Sequence, residues 1–404
     1  MRPGRGFTLV EVMVALAIGL IVLAGLATVF IAQRQVYSTA SSQGAIQNAD
    51  NALSAILSPA IRGAGFTGCG TLATSRSELV FSTATTPWVF SPGDFSAPVF
   101  GYDASGTGVS GIGAGSVTYT TLNAANSTSA NDWNPALDAS LLSGSGFAEK
   151  GSDILILNGE VPGTHPLGVP TVNQAAAPNS FTVYNPASSA TAQSPIQFTD
   201  MNGQPINVQV TAVAISDCAK SSVFIPVMTT TASTGSIIPN PVQVAASGNK
   251  GVQVNPIYQS GTQFVPLQQV AYFVGHGDGN QSALFQATLV NGVWSSQQLV
   301  PGIDNMQVLY GVGVGGNSTQ YLSADQVQAL QANPPPGVVS LPFNPWTIVN
   351  SIRIGFLIEG GQGSAAVGSN PTVWNVLGTQ VTVPADTRLR HVYVMTVNLR
   401  NVTL

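Results

Sequence analysis

Gly6-Phe7-Thr8-Leu9-Val10-Glu11 opens an apolar run that continues to Ala32, and this stretch decides the fold. From Val12 to Ala32 there is no charged side chain, and Thr28 is the one clearly polar residue. About 20 apolar residues at ~1.5 Å each cross the hydrocarbon core as a single helix. Arg2 and Arg5 precede the run, and basic residues are sparse after it, which predicts a cytoplasmic N-terminus and an external remainder. Glu11 is the exception inside the run. A lone carboxylate in a membrane segment costs a few kcal/mol, about 2.5–3.5 on insertion scales, and needs a partner.

An ordinary secretory signal has a shorter apolar core followed by a small-residue cleavage site. Here the small residue, Gly6, stands before the run. Cleavage after it would remove the basic leader, keep the helix, and create a positive amine at Phe7 within reach of Glu11. The alternative is a plain signal anchor with Glu11 near the cytoplasmic interface.

The motif of a short basic leader, Gly6, Phe7 and a fifth-position Glu11 resembles the class III signal of type IV pilins and secretion pseudopilins. That resemblance implies cleavage by a membrane-embedded prepilin peptidase, N-methylation of Phe7, and docking of Glu11 onto another pilin's N-terminus.

Composition fits an exported protein. Charged residues make up 7% of the 404, against ~25% in a typical domain. Ser, Thr, Asn, Gln and Gly fill the surface instead. Without the leader, ten basic residues face seventeen acidic ones and form no cluster, so a phosphate-binding nucleic-acid groove is not expected. In an oxidising compartment the two cysteines, Cys69 and Cys218, are most simply a disulfide closing a loop of ~150 residues, worth up to ~4–5 kcal/mol. Two free buried thiols are the other option. A metal site needs more ligands than this pair supplies.

Beyond Ala32, Ile46, Ala49, Leu53, Ile56 and Ala60 recur at spacings of three and four, predicting one stripe of an amphipathic helix. Pro59 and Gly63-Ala64-Gly65 end it, so the helix runs from about Phe7 to about Leu57. Gly19 and Gly25 either permit close helix contact, which we favour, or let the helix bend. The expected organisation is a leader (1–6), a transmembrane half-helix (7–32), an amphipathic half-helix (33–62) and a β-rich head (63–404), the last divided near residue 220 (about 63–220 and 221–404).

Within the head, Leu79-Val80-Phe81, Trp88-Val89-Phe90, Asp153 to Leu157, Phe181 to Tyr184, Ile206 to Ile215 and Val223 to Val227 are strand candidates. Gly101 to Gly115 and Asn123 to Asn134 look like surface loops. Val270 to Val274, Ala283 to Val290 and Val293 to Val300 form a meander, with Asn291-Gly292 at a turn that needs positive φ. Met306 to Val312 continues the sheet. Ser323 with Gln326 makes a capping box for a short helix. Ile348 to Ile358 and Leu389 to Leu399 alternate as strands. The fold class is α+β: a long N-terminal helix packed on an antiparallel head.

Four short stretches resemble the PilW family of minor pilins: Gly68-Cys69-Gly70; Ser216-Asp217-Cys218 leading to Val223-Phe224; Leu299-Val300-Pro301-Gly302-Ile303 running to Val312; and the close from Arg390-His391-Val392-Tyr393 to Leu399-Arg400-Asn401. Leu284-Phe285-Gln286 departs from the family, which more often has an aromatic followed by arginine there. This resemblance implies a minor type IV pilin, not an enzyme and without cofactor, that primes filament assembly near the tip and supports twitching motility. It implies an inner-membrane precursor with a periplasmic head. The implied partners are other minor pilins, the major pilin, the inner-membrane assembly platform, the prepilin peptidase and a PilY-type adhesin. Rival functions are a type II secretion pseudopilin and a pilus-tip adhesin or binding module.

Other motifs carry less. Gly311-Val-Gly313-Val-Gly315-Gly316 satisfies a dinucleotide pattern, but no apolar helix follows it. His276 and Asp278 share a glycine loop without evident further metal ligands. His165 sits beside Pro166, and His391 alternates with strand residues. Trp88, Phe90, Trp133, Trp346 and Trp374 could line a carbohydrate surface, though scattered aromatics more often anchor a core. No residue is assigned a catalytic role.

Overall fold

The computed structural model describes residues 8–401 apart from 69–76, 80–89, 91, 108, 111–112, 120–126, 139–140, 142–147, 174–179, 185–197, 201, 203–204, 207–210, 218–220, 225, 230–235, 240–257, 259–261, 291, 314–319, 333, 335–343 and 362–370. The chain begins as one helix, α1 (Leu9–Gly63). Its first half is wholly unburied, with a mean hydropathy of 2.8 over the most apolar window. Thr28 satisfies its hydroxyl inside the helix by donating to the Gly25 carbonyl at 2.8 Å, so the stretch from Val12 to Ala32 leaves no polar side chain unpaired. Arg34 closes the run and folds back over the Phe30 ring at 5.9 Å.

The second half of α1 buries Ser42, Ile46, Ala49, Leu53, Leu57 and Ile61. The stripe therefore drifts from the expected Ile56 and Ala60 to their neighbours, as 3.6 residues per turn require. The helix also runs through Pro59 instead of stopping near Leu57. Pro59 and Ala55 are both exposed, so water can solvate the Ala55 carbonyl that loses its N–H partner. Leu57 and Ile61, fully buried on the other face, hold the last turn in place.

The main strands of the head are β1 (Val99–Ala104), β2 (Ile154–Glu160), β3 (Leu167–Asn173), β4 (Ala212–Ser216), β5 (Ser221–Phe224), β6 (Thr262–His276), β7 (Ser282–Val290), β8 (Val293–Pro301) and β9 (Ile303–Val312). A short helix, α2 (Ala324–Ala329), precedes β10 (Val349–Glu359), β11 (Thr372–Val376), β12 (Thr379–Val383) and β13 (Arg390–Asn398). The 15-residue β6 is the spine of the large sheet. Its first half pairs antiparallel with β3 and β4, and its second half with β2 and β7. β8 extends the sheet beyond β7, and β1 beyond β2. A second antiparallel sheet is ordered Gln320–Leu322, β9, β10, β13. Ile352, Ile354, Phe356 and Ile358 of β10 are fully buried, so the alternating pattern does face a core. β11 and β12 form a small third sheet with Ser116–Thr118.

The helix packs on β13 and β10 of the second sheet and on β8 and β2 of the large one. One hydrophobic core joins the helix stripe to both sheets. The α+β pilin-like class is what the molecule shows.

Two expected loops are different. Val99–Ala104 is a fully buried strand, so Gly101 starts no loop. A Cβ at Gly101 would fall on the Tyr310 hydroxyl, so glycine is there for close approach. Trp133 is also buried, its indole donating to the Ser152 carbonyl at 2.9 Å. Of the strand expected from Ile206 to Ile215, Pro205–Ile206 and Ala212–Ser216 are strands, and 207–210 lie outside the described residues. Gly292 has φ of 78° at the β7–β8 turn. At α2, the Ser323 N–H donates to Gln326 Oε1 at 3.2 Å, as the capping box requires. Val80, Phe81, Trp88 and Val89 lie outside the described residues.

Candidate functional site

The two ends of α1 carry the candidate site. At the start, Thr8 is the N-cap, and its hydroxyl oxygen accepts from the Glu11 N–H at 3.3 Å. The same hydroxyl donates to Glu11 Oε2 at 3.4 Å. Thr8-Leu9-Val10-Glu11 thus follows the T-x-x-E spacing of a helix start, a signal present in the sequence that the reading by hydropathy passed over. Glu11 shares a face with Val12, Ala15, Leu16, Gly19, Leu20 and Leu23, which border one shallow groove. A Cβ at Gly19 would meet nothing within 4 Å, so this face is open. Ala15 and Gly19 are four apart, the spacing at which small residues let helix backbones approach in lipid. Gly6 and Phe7 lie outside the described residues.

At the far end, the closing segment of the chain caps the helix. Asn401 Nδ2 donates to the Ala64 carbonyl at 3.1 Å and to the Arg62 carbonyl at 3.3 Å. These are among the last carbonyls, which an α-helix leaves without partners. Gly65, at φ of 79°, turns the chain into the head, where its N–H donates to the Asn158 carbonyl at 2.7 Å. A Cβ there would stand 2.8 Å from Pro98 Cβ. Midway along the helix, the Ser42 hydroxyl donates to the Gly361 carbonyl at 3.1 Å, and a Cβ on Gly360 would be 2.7 Å from Ser42 Cβ. His391 of β13 interacts electrostatically with Asp50 of α1, lowering a carboxyl that burial raises.

Beneath this junction lies a buried charge network. Arg390 Nε donates to Asp304 Oδ2 at 2.7 Å, and its two terminal nitrogens grip Asp386 at 2.6 and 2.7 Å. Arg388 Nη1 donates to both oxygens of Glu359. The Asp304 and Glu359 side chains are fully buried. Burial, reinforced by the charge of Glu359, lifts Asp304 well above the usual carboxylate range, against the pull of Arg390. Asp386 also feels burial, but the Arg390 fork outweighs it and holds the group low. These ion pairs tie β9, β10 and β13 together at the edge of the strand that supports the helix.

The cysteines expected to pair, Cys69 and Cys218, lie outside the described residues. Their described neighbours meet: a Cβ on Gly68 would be 3.3 Å from Ser216 Cβ and 3.1 Å from Val265. His276 is exposed at the end of β6, and Asp278 at the following hairpin tip. Among the described residues no group of three or more His, Cys, Asp or Glu is placed to hold a metal ion. Gly311 of the glycine-rich motif is inside β9, paired with Ser351, and the motif continues past the described residues. Trp346, Trp133 and Phe90 are core residues, whereas Trp374 is half-buried on β11. Phe285, at the departure from the family pattern, stacks on Phe273 at 5.7 Å.

Residues 271–401 match the family model for the type IV pilus-assembly protein W, and residues 1–27 match the prokaryotic N-terminal methylation motif. No curated protein and no solved structure matches the chain. Two of the four stretches quoted for the resemblance, Leu299 to Val312 and Arg390 to Asn401, fall inside the matched region. The closing segment that caps α1 therefore lies within the matched residues.

Proposed function

We propose that this chain, a PilW-like type IV pilin on those two matches, is a minor pilin that helps to start the pilus filament near its tip. A pilus-assembly domain implies association with other pilus components and with a membrane-associated system. The observation that carries the finer reading is the contrast within α1. One continuous 55-residue helix is bare and apolar at one end and locked into the head at the other. Apolar surface avoids water, so lipid or other apolar helices are what that half can accept, and within lipid the helices associate through close packing.

In this reading the prepilin peptidase cuts after Gly6, Phe7 is methylated, and its amine pairs with a neighbour's Glu11. Charge pairing removes the cost of a lone acid in the bilayer and fixes the axial register of the helices. The chain is then a single-pass inner-membrane protein with a periplasmic head before it enters the filament. Other minor pilins, the major pilin, the assembly platform and a PilY-type adhesin are its partners. It performs no catalysis. A type II secretion pseudopilin would share the first thirty residues, but the match over 271–401 favours the pilus.

Glu11→Ala tests this directly. The variant is expected to lose its leader normally and to leave cells without pili or twitching motility. Full piliation with Glu11→Ala would overturn the docking role, and a mature mass in a Gly6→Leu variant would overturn the processing step.

A further inference from the structure

A groove of about 780 Å³ runs beside the last two turns of α1. Ile56, Ala60, Val270, Tyr272 and Glu160 are among the residues that line it. This volume is in the range of specific ligand sites, roughly 300–1,000 Å³. Glu160 is the anomaly. Its carboxylate has no hydrogen-bond or ion-pair partner among the described residues, and burial alone pushes it up to about 7. A carboxylate kept half-buried among apolar groups is costly unless a cation or donor joins it. Arg62 and Arg400 also line the groove, but both are exposed, so water solvates their charges, unlike that of half-buried Glu160.

We infer that this groove takes an apolar polypeptide segment of another protein that carries a lysine or arginine, its cation reaching Glu160. Two observations choose this occupant. Ala60 lies 29 residues beyond Ile31, or ~44 Å along the helix, which puts the groove far outside lipid. Among the described residues, Arg388 and Arg390 are buried in ion pairs, Lys150 pairs with Asp132, Arg353 sits over Tyr321, Arg34 over Phe30, and Arg62 and Arg400 line the groove itself, so a second copy is poorly equipped to fill the site. That the partner is a pilus component rests on the proposed function. The chemistry of the groove does not, and a free peptide tests it separately.

The test uses the full chain in nanodiscs, with empty nanodiscs as blank. The probes are the labelled, end-capped peptide Gly-Val-Leu-Lys-Leu-Val and its Lys→Gln and Lys→Glu forms, read by fluorescence anisotropy. The lysine peptide should bind, and either Lys→Gln in the peptide or Glu160→Gln in the protein should weaken it by at least about tenfold. The two changes together should cost little more than one. Circular dichroism melting checks that the protein variant is folded. Ala60→Leu, which adds bulk to the lining without altering charge, should weaken binding as well. Equal binding of the glutamine peptide, tighter binding of the glutamate peptide through Arg62 and Arg400, unchanged binding to Glu160→Gln, or no binding of any peptide would each overturn the inference.

Discussion

The side-chain amide of Asn401 donates to the carbonyl of Ala64, 337 residues earlier in the chain, at 3.1 Å. The last described residue of the head thus finishes the first element of the fold. Removing it with Asn401→Ala should leave the Ala64 and Arg62 carbonyls short of a donor, at a cost of about 1–2 kcal/mol. Hydrogen exchange should rise around residues 60–66 while the core of β6 is unchanged. Uniform exchange across the molecule would argue against a local latch.

Gly101 faces the Tyr310 ring so closely that any side chain must displace the hydroxyl. Gly101→Ala is expected to destabilise by about 1–3 kcal/mol through overpacking. Tyr310→Phe removes the offending oxygen, which has no hydrogen-bond partner among the described residues. Combined, the two changes should be less harmful than their sum, with a coupling of about 0.5 kcal/mol or more. Strict additivity in denaturant titrations would refute the contact.

These two positions mark where sequence reading succeeds and fails. The helix stripe, the β6–β7–β8 meander, the capping box at Ser323 and the alternation in β10 were legible because each is set by neighbours three or four residues apart, or two. Gly101 to Ala104 was not, because Gly, Tyr and Asp in succession resemble a turn, and only Tyr310 explains the glycine. The capping of α1 by Asn401 depends on contacts over the whole chain, which local periodicity does not encode. Pro59 misled for a related reason: its cost depends on whether its face is exposed. At the site, Glu11 was read from its position in the apolar run, whereas its partner Thr8 was missed.

Several buried or half-buried carboxyls sit above their ordinary range. Burial is the first cause for each, lifting Asp103 to about 9 and Glu149, Asp153 and Glu160 to about 7. Asp153 stays high although the Ala104 and Val308 amides donate to it. In the unfolded chain such groups ionise near pH 4. Between about pH 4 and 7, and for Asp103 up to about 9, the folded state therefore holds more protons, and stability falls as pH rises. Asp386 and Asp132, which are lowered, act in the opposite sense only in more acid solution. The melting temperature of the full chain should be higher at pH 5 than at pH 8, and Glu160→Gln should flatten the slope. A melting temperature that rises from pH 5 to 8 would contradict the burial of these groups.

Gly68 packs against Ser216, which places the residues just before Cys69 and two before Cys218 in contact. We expect the two thiols to be joined in exported protein. Peptide mapping without reductant should recover a Cys69–Cys218 linked pair, and two alkylatable thiols would exclude it. Reduction should destabilise by about 2–5 kcal/mol.

Arg390 offers the sharpest test of how the closing segment of the chain supports the helix. Its fork holds Asp386 while its Nε holds Asp304, whose Oδ1 finds no partner among the described residues. Arg390→Met leaves two carboxyls beside Glu359 with one fewer cation, and breaking a buried pair from one side costs about 3–5 kcal/mol. Lysine cannot reproduce three directed donors from one planar group, so Arg390→Lys should recover little. Adding Asp304→Asn to Arg390→Met removes the carboxyl whose charged form burial disfavours most and should restore part of the loss, read by chemical denaturation. If Arg390→Met alone is neutral, the network is not what braces β9, β10 and β13. The support of α1 must then come from the apolar contacts of Met395 and Val397, which are buried in the core shared with the helix stripe.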